Sequence, residues 1–272
     1  SLVLIMNFLG KPRDSMFIDS HCHLNFTCFD IQRERLLQQL QQKKITKVII
    51  PATHRGNWKQ IIRLCENHPN LYYALGYHPH FLDDFKPGDV QSLQTLLEHR
   101  NSQCVALGEI GLDKFIKTPM EVQESIFTAQ LAIAQQLELP VILHVVKKQG
   151  RVLQILRQLK FTQGGVYHAF SGSYELAVEF IKLGFKIGVG GVITYPNSIT
   201  TRQTISLLPL ESLVLETDAP GMPIYQQQQS DNTPLNLLHI FESLAMLRVE
   251  SKKCLASQLY NNTRSLFSLD ND

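Results

Sequence analysis

Short apolar runs alternate along the chain with longer segments whose apolar residues recur at helical spacing. Eight of these runs are nearly continuously apolar and rich in β-branched residues, as expected for parallel strands covered on both faces. The predicted strands are residues 16–20, 47–51, 71–76, 105–108, 141–144, 165–168, 186–189 and 213–215.

Helical segments of uneven clarity separate the predicted strands. The clearest covers residues 119–137, where Pro119 marks the start and Pro140 lies beyond the end. Its predicted buried face is formed by Val122, Ile126, Ala129, Ile133 and Leu137. Further apolar stripes occupy residues 152–159 and 176–181, residues 201–207 form a short helix, and helices at 234–248 and 251–267 finish the chain.

Eight strand–helix alternations without a change in composition predict a (β/α)8 TIM barrel. The 272 residues suit a barrel of this kind, which commonly uses about 250 residues. We therefore expect residues 1–272 to form one domain, with residues 1–15 as a leader segment. The alternative is an open doubly wound sheet, but its glycine-rich turn after the first strand is replaced here by His-Cys-His.

Composition narrows the function classes only slightly. The net charge of +2 is too small to predict nucleic-acid or membrane binding from bulk charge. Five cysteines without a C-x-x-C pair imply no disulfide framework, which fits a reducing cytosol. We expect a cytoplasmic monomer with no membrane association and no obligate protein partner.

Metal-binding residue types stand at the ends of the predicted strands. Because the carboxyl ends of barrel strands meet at one mouth, we expect these side chains to share a single pocket that holds divalent metal. They are His21, His23, Glu109, His144, His168 and Asp218.

Each of these residues also has a structural interpretation. His21 and His23 point to the same side of an extended segment, but such a pair also occurs in cores or on surfaces. Glu109 is costly to bury unless it meets a cation, which could be a nearby lysine such as Lys114. His144 and His168, taken singly, resemble hydrogen-bonded core histidines, and only their combination with Glu109 favours metal.

Asp218 is the candidate catalytic residue because a carboxylate at a metal site can also accept a proton from water. Glu216, two residues earlier, is expected to orient ligands through hydrogen bonds. The donor set is large enough for two ions, and a paired site suits displacement at phosphorus. Its mixed nitrogen and oxygen donors admit zinc, manganese or magnesium alike.

The motifs SHCH, GEIGLD, LH, HAFSG, ETDAP and NNTRSLF together resemble the signature series of the TatD-type metal-dependent deoxyribonucleases, in the amidohydrolase-like superfamily. The stretch IGVGGVITYP resembles the YjjV-type branch. The resemblance runs in order over residues 17–267.

The resemblance implies a particular assignment of ligands and substrate. His21, His23 and Asp218 would hold one ion, His144 and His168 the other, and Glu109 would lie between them. It also implies that Asp218 is the base and that DNA is the substrate, cleaved in an exonuclease-like manner.

The substrate side of this assignment rests on four further residues. His78, in GYHPH, matches a family position associated with substrate phosphate, although it is also typical of a loop histidine before a proline. Asp113 is expected either beside the substrate or behind the ligands. The Ser-Arg usual after the fifth-strand histidine is replaced by two valines, so Lys147 and Lys148 are the candidate phosphate contacts, or else ordinary solvated lysines.

The sequence therefore predicts a metal-dependent hydrolase that cleaves DNA phosphodiesters with metal-activated water. Two other function classes stay open at this point. The same barrel could hydrolyse a small amide, ester or lactone or act as a deaminase. It could also be a metal-stabilised scaffold for a partner.

Overall fold

The computed structural model describes residues 15–228 and 232–269 of the chain. Eight parallel strands form one sheet in the order β1 to β8. The strands are β1 Phe17–Asp19, β2 Ile45–Pro51, β3 Leu71–Leu75, β4 Cys104–Asp113, β5 Val141–Val146, β6 Gly165–Tyr167, β7 Phe185–Val189 and β8 Leu213–Leu215. The predicted leader, residues 1–15, lies outside the described residues except for Ser15, and its role stays a prediction.

Helices connect successive strands, and the last two of them follow the last strand. They are α1 Arg33–Gln42, α2 Arg55–Glu66, α3 Asp89–Glu98, α4 Met120–Gln136, α5 Gln149–Gln158, α6 Tyr174–Lys182, α7 Ile199–Leu207, α8 Leu237–Leu247 and α9 Lys252–Leu266. Side-chain caps define several starts: His54 accepts from Gly56 N–H at α2, and Ser173 accepts from Leu176 N–H at α6. Such caps satisfy backbone donors that the first turn leaves open.

Backbone hydrogen bonds between the residues that follow β1 and the end of β8 with the segment after it close the sheet. Ser20 N–H donates to Leu215 O at 2.9 Å, and Asp218 N–H donates to His21 O at 2.8 Å. At the same seam the buried carboxylate of Asp19 accepts from Thr217 N–H at 3.0 Å and from its hydroxyl at 2.5 Å. The predicted (β/α)8 barrel is confirmed.

Two apolar clusters form the core, one inside the barrel and one between the strands and the helices. The inner cluster takes alternate strand residues such as Ile18, Ile49, Ile142 and Val214 and is joined by Phe267. The other set of strand residues packs against the helices in a larger cluster. This alternation is expected when both faces of every strand are covered.

Two sequence predictions differ from the structure in detail. Residues 105–108 and 141–144 are the amino-terminal parts of longer strands, since β4 continues to Asp113 and β5 to Val146. On α4 the predicted buried residue Val122 is 42% exposed, while Gln123 and Gln130 are buried. These glutamines replace apolar residues there because each bonds to the backbone of a neighbouring segment.

No helix among the described residues has both the length and the apolar content needed to cross a bilayer. The cysteines are free thiols, in keeping with the expected lack of a disulfide framework. The predictions of a single domain, a monomer and a cytoplasmic location stay predictions.

Candidate metal centre

Strand ends bring histidines and carboxylates to one mouth of the barrel. His21 and His23 follow β1, and His168 follows β6. Asp218 lies beyond β8 with a left-handed backbone (φ 54°), a conformation that aspartate adopts more readily than most residues. Its backbone is fixed by the hydrogen bond to His21 across the closing seam.

Glu109 lies inside β4 rather than after it. The pairing of β4 with β5 shifts register between Gly108 and Ile110, so Glu109 occupies an irregularity in the strand. Irregularities of this kind often re-aim a side chain beside an active site. At Gly111 a Cβ would lie 1.8 Å from the carbonyl oxygen of His144, so only glycine lets β4 pass β5 this closely.

Five imidazole nitrogens surround the carboxylate of Glu109, which is 1% exposed. Its Oε2 lies 3.1 Å from His21 Nε2 and 3.6 Å from His23 Nε2. Its Oε1 lies 3.1 Å from His78 Nε2, 3.2 Å from His144 Nδ1 and 3.2 Å from His168 Nε2. Glu109 therefore separates two groups of nitrogen donors.

Asp218 joins the first of these groups. Its Oδ1 lies 3.3 Å from His21 Nε2 and 3.4 Å from His23 Nε2, and its side chain is 16% exposed. The second group contains His144 and His168 together with His78, which the sequence predicts as a substrate contact. A cavity of about 300 Å³ opens over both groups.

The donors fit divalent metal because they leave buried polar atoms without partners. Both oxygens of Glu109 are buried and make no hydrogen bond, although five nitrogens lie within 3.6 Å. The nitrogens and oxygens thus converge on shared spaces instead of pairing with one another. Buried polar atoms that stay unpaired are costly, and imidazole with carboxylate is a common donor set for zinc and related ions.

The protonation of the centre reflects the balance of burial and charge. Burial and the neighbouring His168 lower the pKa of His21, but the carboxylates of Glu109 and Asp218 outweigh them and raise it to about 9. Burial lowers the pKa of His78 to about 4. Burial would raise the pKa of Glu109, yet the surrounding imidazoles hold it well below its usual range. Without metal, protons on some imidazoles balance the carboxylates.

Carboxylates lie behind two of the donors. Asp113 accepts from His144 Nε2 at 2.9 Å and from His80 Nε2 at 2.7 Å, which leaves His144 Nδ1 facing Glu109. Glu216 Oε1 lies 3.3 Å from His168 Nδ1 and accepts from Ala169 N–H at 2.5 Å. Partners of this kind set the tautomer and direction of metal-binding histidines.

The other three residues predicted to contact the substrate differ in their exposure to solvent. Asp113 is buried, and both of its oxygens already accept hydrogen bonds. Lys147 is exposed and Lys148 is half-buried, while Val145 and Val146 form the cavity wall beside His144. The substrate roles of His78, Asp113, Lys147 and Lys148 stay predictions.

Two residues of the centre were missed by the sequence analysis. His80 lines the cavity, is 49% exposed and shares Asp113 with His144. His80 follows His78 by two residues, the same spacing as between His21 and His23, so the motif GYHPH already indicated a second histidine pair. Asp19, in FIDSHCH, is a buried carboxylate whose pKa burial raises to about 7 despite hydrogen bonds from Thr217.

Comparison with known proteins agrees with this centre. Residues 18–268 match the family model described as TatD related DNase. The chain is 42% identical to the uncharacterized metal-dependent hydrolase YjjV of Escherichia coli, covering 93% of this chain and 98% of that protein. The crystal structure of the Escherichia coli protein matches with a TM-score of 0.90 over 93% of this chain and 98% of that one.

A further relative carries a more specific name. The chain is 33% identical to a protein of Pantoea named 3'-5' ssDNA/RNA exonuclease TatD, over 92% of this chain and 99% of that protein. The match to the family model over residues 18–268, together with the centre at the barrel mouth, identifies the chain as a member of the TatD family of metal-dependent hydrolases.

Proposed function

We propose that this protein hydrolyses phosphodiester bonds of DNA, removing nucleotides from a strand end with the help of two divalent ions. The observation that carries the proposal is the position of Glu109, whose two oxygens face separate groups of donors. Two-ion sites favour in-line displacement at phosphorus because charge develops on both the attacking and the leaving oxygen.

The residues divide between the two positions by distance. His21, His23 and Asp218 would hold one ion. His144 and His168 would hold the other, with His78 beside them, and Glu109 would contact both. When bound, the ions supply positive charge that polarises the phosphate and lowers the pKa of water. The donor set admits zinc, manganese or magnesium.

Side chains of the protein would accept the proton and orient the metal-binding histidines. Asp218 would accept the proton of the attacking water at its carboxylate, because that group is ionised and partly exposed to the cavity. Burial opposes ionisation, but the imidazoles, His168 first, lower the pKa of Asp218 below its usual range. Glu216 and Asp113 would hold His168 and His144 in the tautomers that present the correct nitrogen.

The choice of DNA rests on the relatives. The family model is described as a DNase, and the Pantoea relative is named as an exonuclease of single-stranded DNA and RNA. These descriptions belong to those proteins, and they make a nucleic acid the first substrate to test here. Because the net charge of the chain is small, its affinity for nucleic acid would depend on local contacts at the mouth of the barrel.

The test is a panel of end-labelled single-stranded and duplex DNA, small lactones, esters and amides, each with magnesium, manganese, zinc or chelator. We expect stepwise shortening of single-stranded DNA with at least one metal and none with chelator. His21→Ala should abolish the activity, which would exclude a contaminating nuclease, whereas His99→Ala, a change of an exposed histidine just after α3, should retain it. DNA left intact with every metal, while a lactone or amide is hydrolysed, would overturn the proposal.

A further inference from the structure

A second cavity of about 380 Å³ adjoins the metal centre. It lies between the segment that follows β1 and the segments that follow β2 and β3, so it opens at the same mouth of the barrel. Two aromatic rings, Phe26 and Phe81, take part in its walls together with His54. Its volume is within the range of small-ligand sites.

The two rings connect this cavity to the metal donors. Phe26 stacks on His23 with ring centroids 4.8 Å apart and an interplanar angle of 24°. Phe81 meets His78 edge to face at 5.9 Å, and it is 38% exposed. Each ring therefore touches one of the two donor groups, and the cavity is one side chain away from the proposed reaction site.

Phe81 is held in place before any ligand arrives. Its ring stacks on the imidazole of His54, with centroids 5.0 Å apart at 22°. His54 is itself fixed as the cap of α2, where its Nδ1 accepts from Gly56 N–H at 3.1 Å. A ring that is already immobilised loses little conformational entropy when a ligand stacks on it.

The cavity is lined mainly by apolar surface, to which several polar side chains are added. Among the described residues that line it there is no aspartate, glutamate, lysine or arginine. The polar wall includes Gln60, whose amide donates to the Asn25 carbonyl at 3.2 Å, and Asn25, whose side-chain oxygen is buried without a hydrogen-bond partner. Such a lining suits a flat, neutral, hydrogen-bonding ring and does not suit a phosphate.

We propose that this cavity binds one nucleobase of the DNA strand, that of a nucleotide next to the scissile phosphate. The inference rests on the proposed function, because it assigns the base to the nucleic acid whose phosphate lies over the metal centre. The base stacks on Phe81 or Phe26, and its amino group approaches the unpartnered oxygen of Asn25. Stacking of this kind tolerates different bases, since every base has a π-face.

The test measures how much the base at each position of the substrate lowers KM. KM is compared for single-stranded DNA with a normal nucleotide and with an abasic nucleotide on either side of the cleaved bond. In the unchanged protein the abasic residue should raise KM about 5- to 150-fold at one of the two positions. Phe81→Ala should bring the ratio of the two KM values close to one, and Phe26→Ala should lower it as well.

The matched control is Phe115→Ala, which removes an exposed phenylalanine outside the cavity and should keep the full ratio. If the unchanged protein cleaves DNA but tolerates an abasic residue on both sides, the nucleobase site is refuted while the proposed function stands. An unaltered ratio in Phe81→Ala and Phe26→Ala would likewise refute it. If the unchanged protein cleaves no DNA, both proposals fall together.

Discussion

Asp113→Asn tests whether the carboxylate behind His144 governs metal binding. Asp113 Oδ1 accepts from Phe115 N–H at 2.8 Å, and Oδ2 accepts from His144 Nε2 at 2.9 Å. In the asparagine variant the amide oxygen keeps the bond to Phe115, so the amide nitrogen takes the place of Oδ2. A donor then faces His144 Nε2, where the native protein has an acceptor.

The expected consequence is a change of tautomer. With a donor opposite Nε2, the proton of His144 moves to Nδ1, the nitrogen 3.2 Å from Glu109 Oε1. A protonated Nδ1 cannot bind a cation, since metal-binding histidine uses a neutral nitrogen with a free lone pair. Changes to partners behind metal-binding histidines typically cost about 10- to 100-fold in metal affinity or activity.

Two measurements distinguish this role from substrate contact. Calorimetric titration with manganese or zinc should show about 10- to 100-fold weaker binding to Asp113→Asn, and turnover should recover partly at high metal concentration. Asp84→Asn, which changes an exposed carboxylate in the segment between β3 and α3, serves as the control. Unaltered metal affinity combined with a raised KM would refute this reasoning and assign Asp113 to the substrate.

Three further changes probe other parts of the molecule. Asp218→Asn should lower kcat at least about 100-fold with metal still bound, and unaltered turnover would remove Asp218 as the base. Gly188→Ala places a Cβ 2.5 Å from Glu216 Oε2, so the carboxylate must move, and kcat should fall about tenfold; a fully active variant would contradict the orienting role of Glu216. Asp89→Ala should lower the free energy of unfolding by about 2–3 kcal/mol in urea titrations, because the Tyr77 hydroxyl loses its acceptor at 2.8 Å. Burial raises the pKa of Asp89, but a guanidinium and two further hydrogen-bond donors outweigh burial and lower it. The carboxylate therefore stabilises the folded protein fully above pH about 3.9, and this stabilisation is lost as the pH falls through the lowered pKa. A difference of less than about 0.5 kcal/mol near neutral pH would contradict the last prediction.

Apolar periodicity was sufficient for the fold because a closed parallel sheet demands continuous apolar runs. The runs at 186–189 and 213–215 agree with β7 and β8 to within a residue. The end of β4 could not be predicted in this way, since its extension consists of Glu109 to Asp113 and follows the chemistry of the mouth. Polar residues within a strand give no apolar signal even when they are buried.

The composition of the centre was accessible from the sequence, but its internal assignment was not. Residue type and strand-end position were enough to select His21, His23, His144, His168 and Asp218. The approach of His78 to Glu109 depends on the path of the segment after β3, which the sequence pattern does not fix. For the same reason the sharing of Asp113 by two imidazoles appears only in the three-dimensional arrangement.

The mispredicted face of α4 shows how the outer layer supports the centre. Gln123 exchanges two hydrogen bonds with the backbone of Asp113, at 2.9 and 3.1 Å. Gln130 does the same with the backbone of Tyr77, the residue before His78, at 2.7 and 3.2 Å. One helix thereby fixes the segment that carries His78 and the segment that carries Asp113, the partner of His144. Binary patterning treats a buried glutamine as an error, whereas here two of them satisfy backbone groups that the strand ends leave open. The two buried glutamines of α4 therefore help to position the metal donors.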